Sequence, residues 1–125
     1  MKKLVFALVL ALGTVTSACG SDSSSSSSSG TPACTVNCVS VSVNKFTPAS
    51  VTIKAGETVT WTWAGGSHDV VSGANCTNDN GFTRSPLQST NGVQFQHKYD
   101  KAGTFEYFCE PHCSSSGMKG TVVVQ

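Results

Sequence analysis

The chain has 125 residues, eight Lys and Arg against seven Asp and Glu, a formal net charge of +1 and only 12% charged residues. That length leaves room for one small domain, and the charge balance lacks the basic stripe that a nucleic-acid-binding surface needs. Thr, Val, Ser and Gly suit short strands and tight turns, and six cysteines point to an oxidising compartment, to metal ligation, or to both.

Met1-Lys2-Lys3 is a basic start, followed by an apolar run from Leu4 to Leu12. The run has signal-peptide length and is too short to span a bilayer comfortably. Small residues, Thr16-Ser17-Ala18, then precede Cys19, as at a bacterial lipoprotein cleavage site, so residues 1–18 are expected to be a signal peptide. Cys19 is the expected lipid-bearing residue, with ordinary cleavage after Ala18 as the alternative. Ser21 to Gly30 is nearly all serine and cannot bury anything. It reads as a tether that lets a membrane-anchored domain stand off the surface. Residues 19–38 are therefore assigned to anchor and linker. Cys34 and Cys38 form a C-x3-C pair, which reads better as a local disulfide than as a metal site because no further ligand lies near.

The folded domain is expected over residues 39–125. Val39, Val41 and Val43 alternate with polar residues, and Val51 and Ile53 do so again after a turn at Phe46-Thr47-Pro48-Ala49. Val59, Trp61 and Trp63 fall on one face of a third strand and are expected to pack in the core. Gly65-Gly66 frees the backbone just before His68. Gly73 to Asn91 has no clear period and reads as a long loop with a short element inside. Its Asn75-Cys76-Thr77 sequon carries little weight behind a bacterial signal peptide. Val93, Phe95, His97 and Tyr99 share one phase of a further strand, Thr104 to Phe108 form another, and Lys119 to Gln125 the last. No amphipathic helix is expected after the signal. Short strands at close spacing indicate an all-β sandwich or barrel.

One stretch carries chemistry. Cys109, His112 and Met118 place a thiol, an imidazole and a thioether within ten positions between two strands, where they are expected on one loop. His68 is the candidate fourth ligand. Two imidazoles and a thiolate with a long thioether bond define a blue-copper centre, and copper is the first-row metal that most often uses all three ligand types. A coordinating thiol is deprotonated by the metal itself. His97 shares the phase of core residues and is read as structural.

Phe46-x-Pro48, Val51-x-Ile53-x-x-Gly56-Glu57-x-Val59-x-Trp61, Ser67-His68-Asp69-Val70-Val71, Gly103-Thr104-Phe105-x-Tyr107-Phe108-Cys109-x-Pro111-His112 and Gly117-Met118-x-Gly120-x-Val122-x-Val124 follow one another in order. Together they resemble the cupredoxins, in particular the plastocyanin, pseudoazurin and halocyanin group, over roughly Val39 to Gln125. The resemblance implies a cupredoxin-like Greek-key β-sandwich or barrel of about seven to eight strands. It also implies one copper ion held by His68, Cys109, His112 and Met118, with His112 near the surface as the electron port.

Three positions depart from the group's usual pattern. Five residues separate His112 from Met118, one more than is usual, so the bond from Met118 to the metal is the ligand assignment to check first. Asp69 follows the first histidine where Asn is common, which alters the charge near the metal. Cys113 directly follows the second histidine. Cys109-x3-Cys113 could belong to a binuclear copper motif, but that motif needs a histidine where Gly117 stands. The favoured alternative is a Cys76–Cys113 disulfide that braces the ligand loop. With Cys19 and Cys109 set aside, the other four cysteines allow three connectivities, and the favoured one pairs Cys34 with Cys38 and Cys76 with Cys113.

The expected function is one-electron transfer between protein redox partners by a monomer in the periplasm or cell envelope, held at the membrane through Cys19. Copper binding and delivery without a redox circuit is the alternative. Catalysis of the multicopper-oxidase or copper nitrite reductase kind needs further histidine-rich centres, and only His97 is left to build them, so no enzyme activity is expected. A metal-free adhesive sandwich is the remaining reading.

Overall fold

A computed structural model describes residues 32–125. The expected signal peptide, the lipidation site at Cys19 and the serine tether lie outside the described residues. The alternating valines open the fold as β1 (Cys38–Ser42), with Val39 and Val41 fully buried. β2 (Lys45–Thr47) turns back antiparallel to it, and β4 (Glu57–Trp63) lies parallel on its other side, opposite Val39 and Val41 with Trp61 and Trp63. β6 (Gln94–Tyr99) completes this sheet in the order β2-β1-β4-β6. The second sheet holds β3 (Ser50–Ile53), β5 (Val71–Ser72), β7 (Gly103–Phe108) and β8 (Lys119–Val124), ordered β3-β8-β7-β5. The last strand thus returns to lie between β3 and β7, pairing parallel with one and antiparallel with the other. The described residues form the expected sandwich, with eight strands where about seven to eight were expected.

The core lies between the sheets. Trp61 is fully buried, with its ring 5.2 Å from that of Tyr107, 5.6 Å from Phe95 and 6.1 Å from Phe82. These tilted and edge-on contacts suit the ring quadrupoles. Tyr107 comes from β7 and Phe95 from β6, so Trp61 joins the two sheets. The expected core role of both tryptophans is seen directly. His97 is half-buried, its ring 4.7 Å from Phe82 and 4.6 Å from Tyr99, and it stands apart from the other two histidines as expected.

Three elements differ from expectation: β2 (Lys45–Thr47) takes in part of the anticipated turn at Phe46-Thr47-Pro48-Ala49, the two-residue β5 was not anticipated, and a helix stands before β8. Residues Glu110–Ser116 form a helix, α1, where an open loop was anticipated. Seven residues give too few turns for an amphipathic period to be visible in sequence. The local chemistry is nonetheless helical. Pro111 sits in the first turn, Glu110 places a negative charge at the positive end, and Gly117 closes the helix in the left-handed conformation at φ 66°. At about 1.5 Å per residue, the helix also takes up chain length compactly, which accommodates the extra residue before Met118.

Replacing Trp61 with Ala is expected to cost about 3–5 kcal/mol, the range for deleting a fully buried large ring. Urea unfolding of the variant against the parent measures this.

Candidate metal centre

The two sheets end together at one pole, and the three strongest ligand candidates meet there. β7 runs out at Phe108 and delivers Cys109, which is fully buried. Its backbone N–H donates to the Met118 carbonyl at 3.1 Å, extending the β7–β8 ladder by one step. His112 lies one turn further on, its N–H bonded to the Cys109 carbonyl at 3.2 Å. His68 follows β4 and is held on both sides. Its N–H and C=O pair with Gln88 at 3.0 and 3.1 Å, and the Trp63 indole N–H donates to its carbonyl at 3.1 Å. Gly66 has φ +82°, and a side chain there would place its Cβ 2.4 Å from His68 Nε2. The glycines before His68 therefore give both the turn and the space for the imidazole.

The donor atoms converge. Cys109 Sγ lies 3.5 Å from His68 Nδ1 and 3.4 Å from His112 Nδ1, and the two Nδ1 atoms are 3.1 Å apart. His68 and Cys109 are buried, and His112 is half-buried. Met118 is 1% exposed, packs in the same core as Cys109, and its N–H donates to the His112 carbonyl at 3.2 Å. Despite its later position in the chain, it lies beside the other candidates.

The electrostatics suit a cation. Burial pushes the Cys109 thiol up to about 11, while the Asp69 and His112 backbones pull the other way. Burial first, and His112 second, hold the His68 imidazole below its ordinary range, so it favours the neutral form that ligates metals. Two imidazole nitrogens and a thiol thus aim their lone pairs at one point. A soft or borderline metal ion satisfies all three at once, and the donor set fits copper.

The surrounding groups were partly legible. Asp69, fully buried, accepts the Glu110 N–H at Oδ1 (2.7 Å) and Arg84 Nη2 at Oδ2 (2.6 Å). It therefore links the His68 segment to the Cys109 segment. Arg84 and Ser85 were not anticipated. Ser85 Oγ accepts the Val70 N–H at 2.8 Å, and the 84–88 segment runs alongside residues 68–70. The one available signal was that Arg84 is the sole arginine of the chain. Both favoured disulfides are present, Cys34–Cys38 and Cys76–Cys113, and Cys109 is free. The second bridge fastens α1 to the 73–81 loop, which removes Cys113 from the ligand list.

Residues 33–125 match the family of copper binding proteins of the plastocyanin/azurin type. The chain is a cupredoxin. It is 47% identical over 88 residues to plastocyanin from Scenedesmus fuscus, covering 64% of this chain and 86% of that protein. It is 38% identical over 82 residues to halocyanin from Natronomonas pharaonis, covering 64% of this chain but 48% of the halocyanin, so it spans about half of that relative's length. In three dimensions it resembles the reduced Cu(I) form of a proline-to-glycine mutant of amicyanin, with a TM-score of 0.60 and 26% identity over 75% of this chain and 86% of that one. Cupredoxins bind one copper, and the donor cluster at the pole of this cupredoxin suits that ion.

A pH dependence follows from the buried thiol. Its folded value of about 11 lies above the ordinary 9.0. In the metal-free protein its contribution to stability is full below the unfolded value and is lost as pH rises through the folded one. Urea midpoints of the metal-free protein are expected to fall between pH 9 and pH 11, and Cys109→Ala is expected to lack that part of the fall.

Proposed function

We propose that this cupredoxin is a one-electron carrier in the cell envelope, with copper bound by His68, Cys109, His112 and Met118. The observation that carries the proposal is the convergence of Cys109 Sγ, His68 Nδ1 and His112 Nδ1 within 3.1–3.5 Å of one another. Copper, when bound, supplies the Cu(II)/Cu(I) couple. Cys109 gives up its thiol proton, which the buried site otherwise retains. His68 is fixed by backbone bonds and an indole, and Cys109 by a strand ladder, so the protein's own framework has little to rearrange as charge changes. His112 is half-buried beside the exposed Pro111, so it offers the shortest route for an electron from the donor cluster to a docked partner.

The remaining features support the same reading. The apolar run, Cys19 and the serine tether suit an exported, membrane-held domain of residues 39–125, acting as a monomer with protein redox partners. No enzyme activity is proposed, because the remaining histidine, His97, lies apart from the donor cluster. Copper delivery is the second reading, since the same donors serve it. The fixed ligand framework favours retention over release.

Redox titration of the copper-loaded domain separates the two. Reversible one-electron cycling with copper retained supports the carrier, and copper loss to a chelator on reduction supports delivery. Met118→Leu is expected to keep one copper per chain and shift the reduction potential, because the axial ligand tunes it. An unchanged potential would remove Met118 from the ligand set.

A further inference from the structure

The Asp69–Arg84 pair has no part in holding a metal directly, yet it joins the surface to the donor cluster. Asp69 is 0% exposed, directly follows His68, and bonds the backbone of Glu110, the residue after Cys109. Its two oxygens are used differently. Oδ1 takes the Glu110 N–H, which fixes the start of α1. Oδ2 takes Arg84 Nη2 at 2.6 Å. The Arg84 side chain is 43% exposed, and the same nitrogen also pairs with Glu110, whose side chain is 60% exposed. The backbone of Ser85, next to Arg84, is bonded to Val70, next to Asp69, at 3.0 Å. The guanidinium is therefore positioned by the segment that runs beside His68, and two carboxylates compete for one of its nitrogens.

A buried carboxylate beside a copper site favours the higher charge state of the metal. A guanidinium on that carboxylate offsets the effect. We infer that Arg84 is a positioning and potential-setting residue: by neutralising Asp69 it raises the reduction potential of the copper centre and holds the carboxylate across the two ligand segments. The inference rests on the copper reading above. It goes beyond that reading by assigning the control of potential to the surface-exposed arginine. Glu110 opposes Arg84, drawing the same nitrogen outward.

The test is a double-mutant cycle on Asp69 and Arg84, read both with copper and without it. With copper, Arg84→Gln is expected to shift the Cu(II)/Cu(I) preference about tenfold toward Cu(II), a potential lower by about 59 mV for one electron. Asp69→Asn is expected to shift it the other way. The Asp69→Asn/Arg84→Gln double variant returns to within about twofold of the parent, and Arg84→Lys stays near it. Without copper, Arg84→Gln is expected to lower the urea midpoint, because a buried carboxylate loses its partner, and the double variant to regain it.

A blue-copper band in every variant with a potential unmoved by Arg84→Gln overturns the inference, as does a double variant no closer to the parent than Arg84→Gln alone. An urea midpoint that falls equally in the single and double variants overturns the pairing itself. Absence of the band in the parent chain instead overturns the copper reading, so the two failures are distinct. If Arg84→Gln does not fold, Glu110→Gln decides: it leaves the Arg84 nitrogen to Asp69 alone, so the potential is expected to rise, and a fall or an unchanged potential overturns the inference.

Discussion

A buried thiol has to be held against two imidazoles whose residues lie 44 apart in sequence. Nothing local can do this. Cys109 is placed by the last rung of the β7–β8 ladder, and His68 by its pairing with Gln88 and by the Trp63 indole. The two placements are then tied by one side chain, Asp69, through the Glu110 N–H. The sandwich is the frame that brings these fixings to one pole. Trp61 and its ring contacts keep the two sheets at the spacing the site requires.

Polar groups at this pole are used in pairs, which is what burial demands. The Asp69 carboxylate is bonded at both oxygens, and Ser85 Oγ answers the Val70 N–H. His68 Nε2, buried without a hydrogen-bond partner, is an exception. The donor atoms face one another with a raised thiol and a depressed imidazole, an arrangement that a cation stabilises. The fold supplies stability elsewhere, through its core and through the bridge from Cys76 to Cys113 across 37 residues. That bridge holds the helix that carries His112.

Much of this was legible in the sequence. Val39, Val41, Trp61 and Trp63 announced their strands by alternation, because a sheet with one buried face writes that period into the chain. The four ligand candidates were legible because their side chains are chemically unusual together. The helix Glu110–Ser116 was not, since seven residues carry no measurable period and its signals, Pro111 and Gly117, also suit a turn. Arg84 was hidden for a different reason. It lies in a segment without period, and its role comes from tertiary pairing of residues 84–88 with 68–70. Asp69 was half visible: its position beside His68 marked a change of charge near the metal, but its link to Glu110 and its cationic partner could be seen only in three dimensions.

The central claim is that one copper ion satisfies the buried donors of Cys109, His68 and His112. The most direct measurement is the visible spectrum of the reduced-thiol domain on titration with Cu(II). The account predicts an intense thiolate-to-copper band that saturates at one copper per chain and disappears in Cys109→Ala. The absence of any such band in the parent domain, or its persistence in Cys109→Ala, would contradict it.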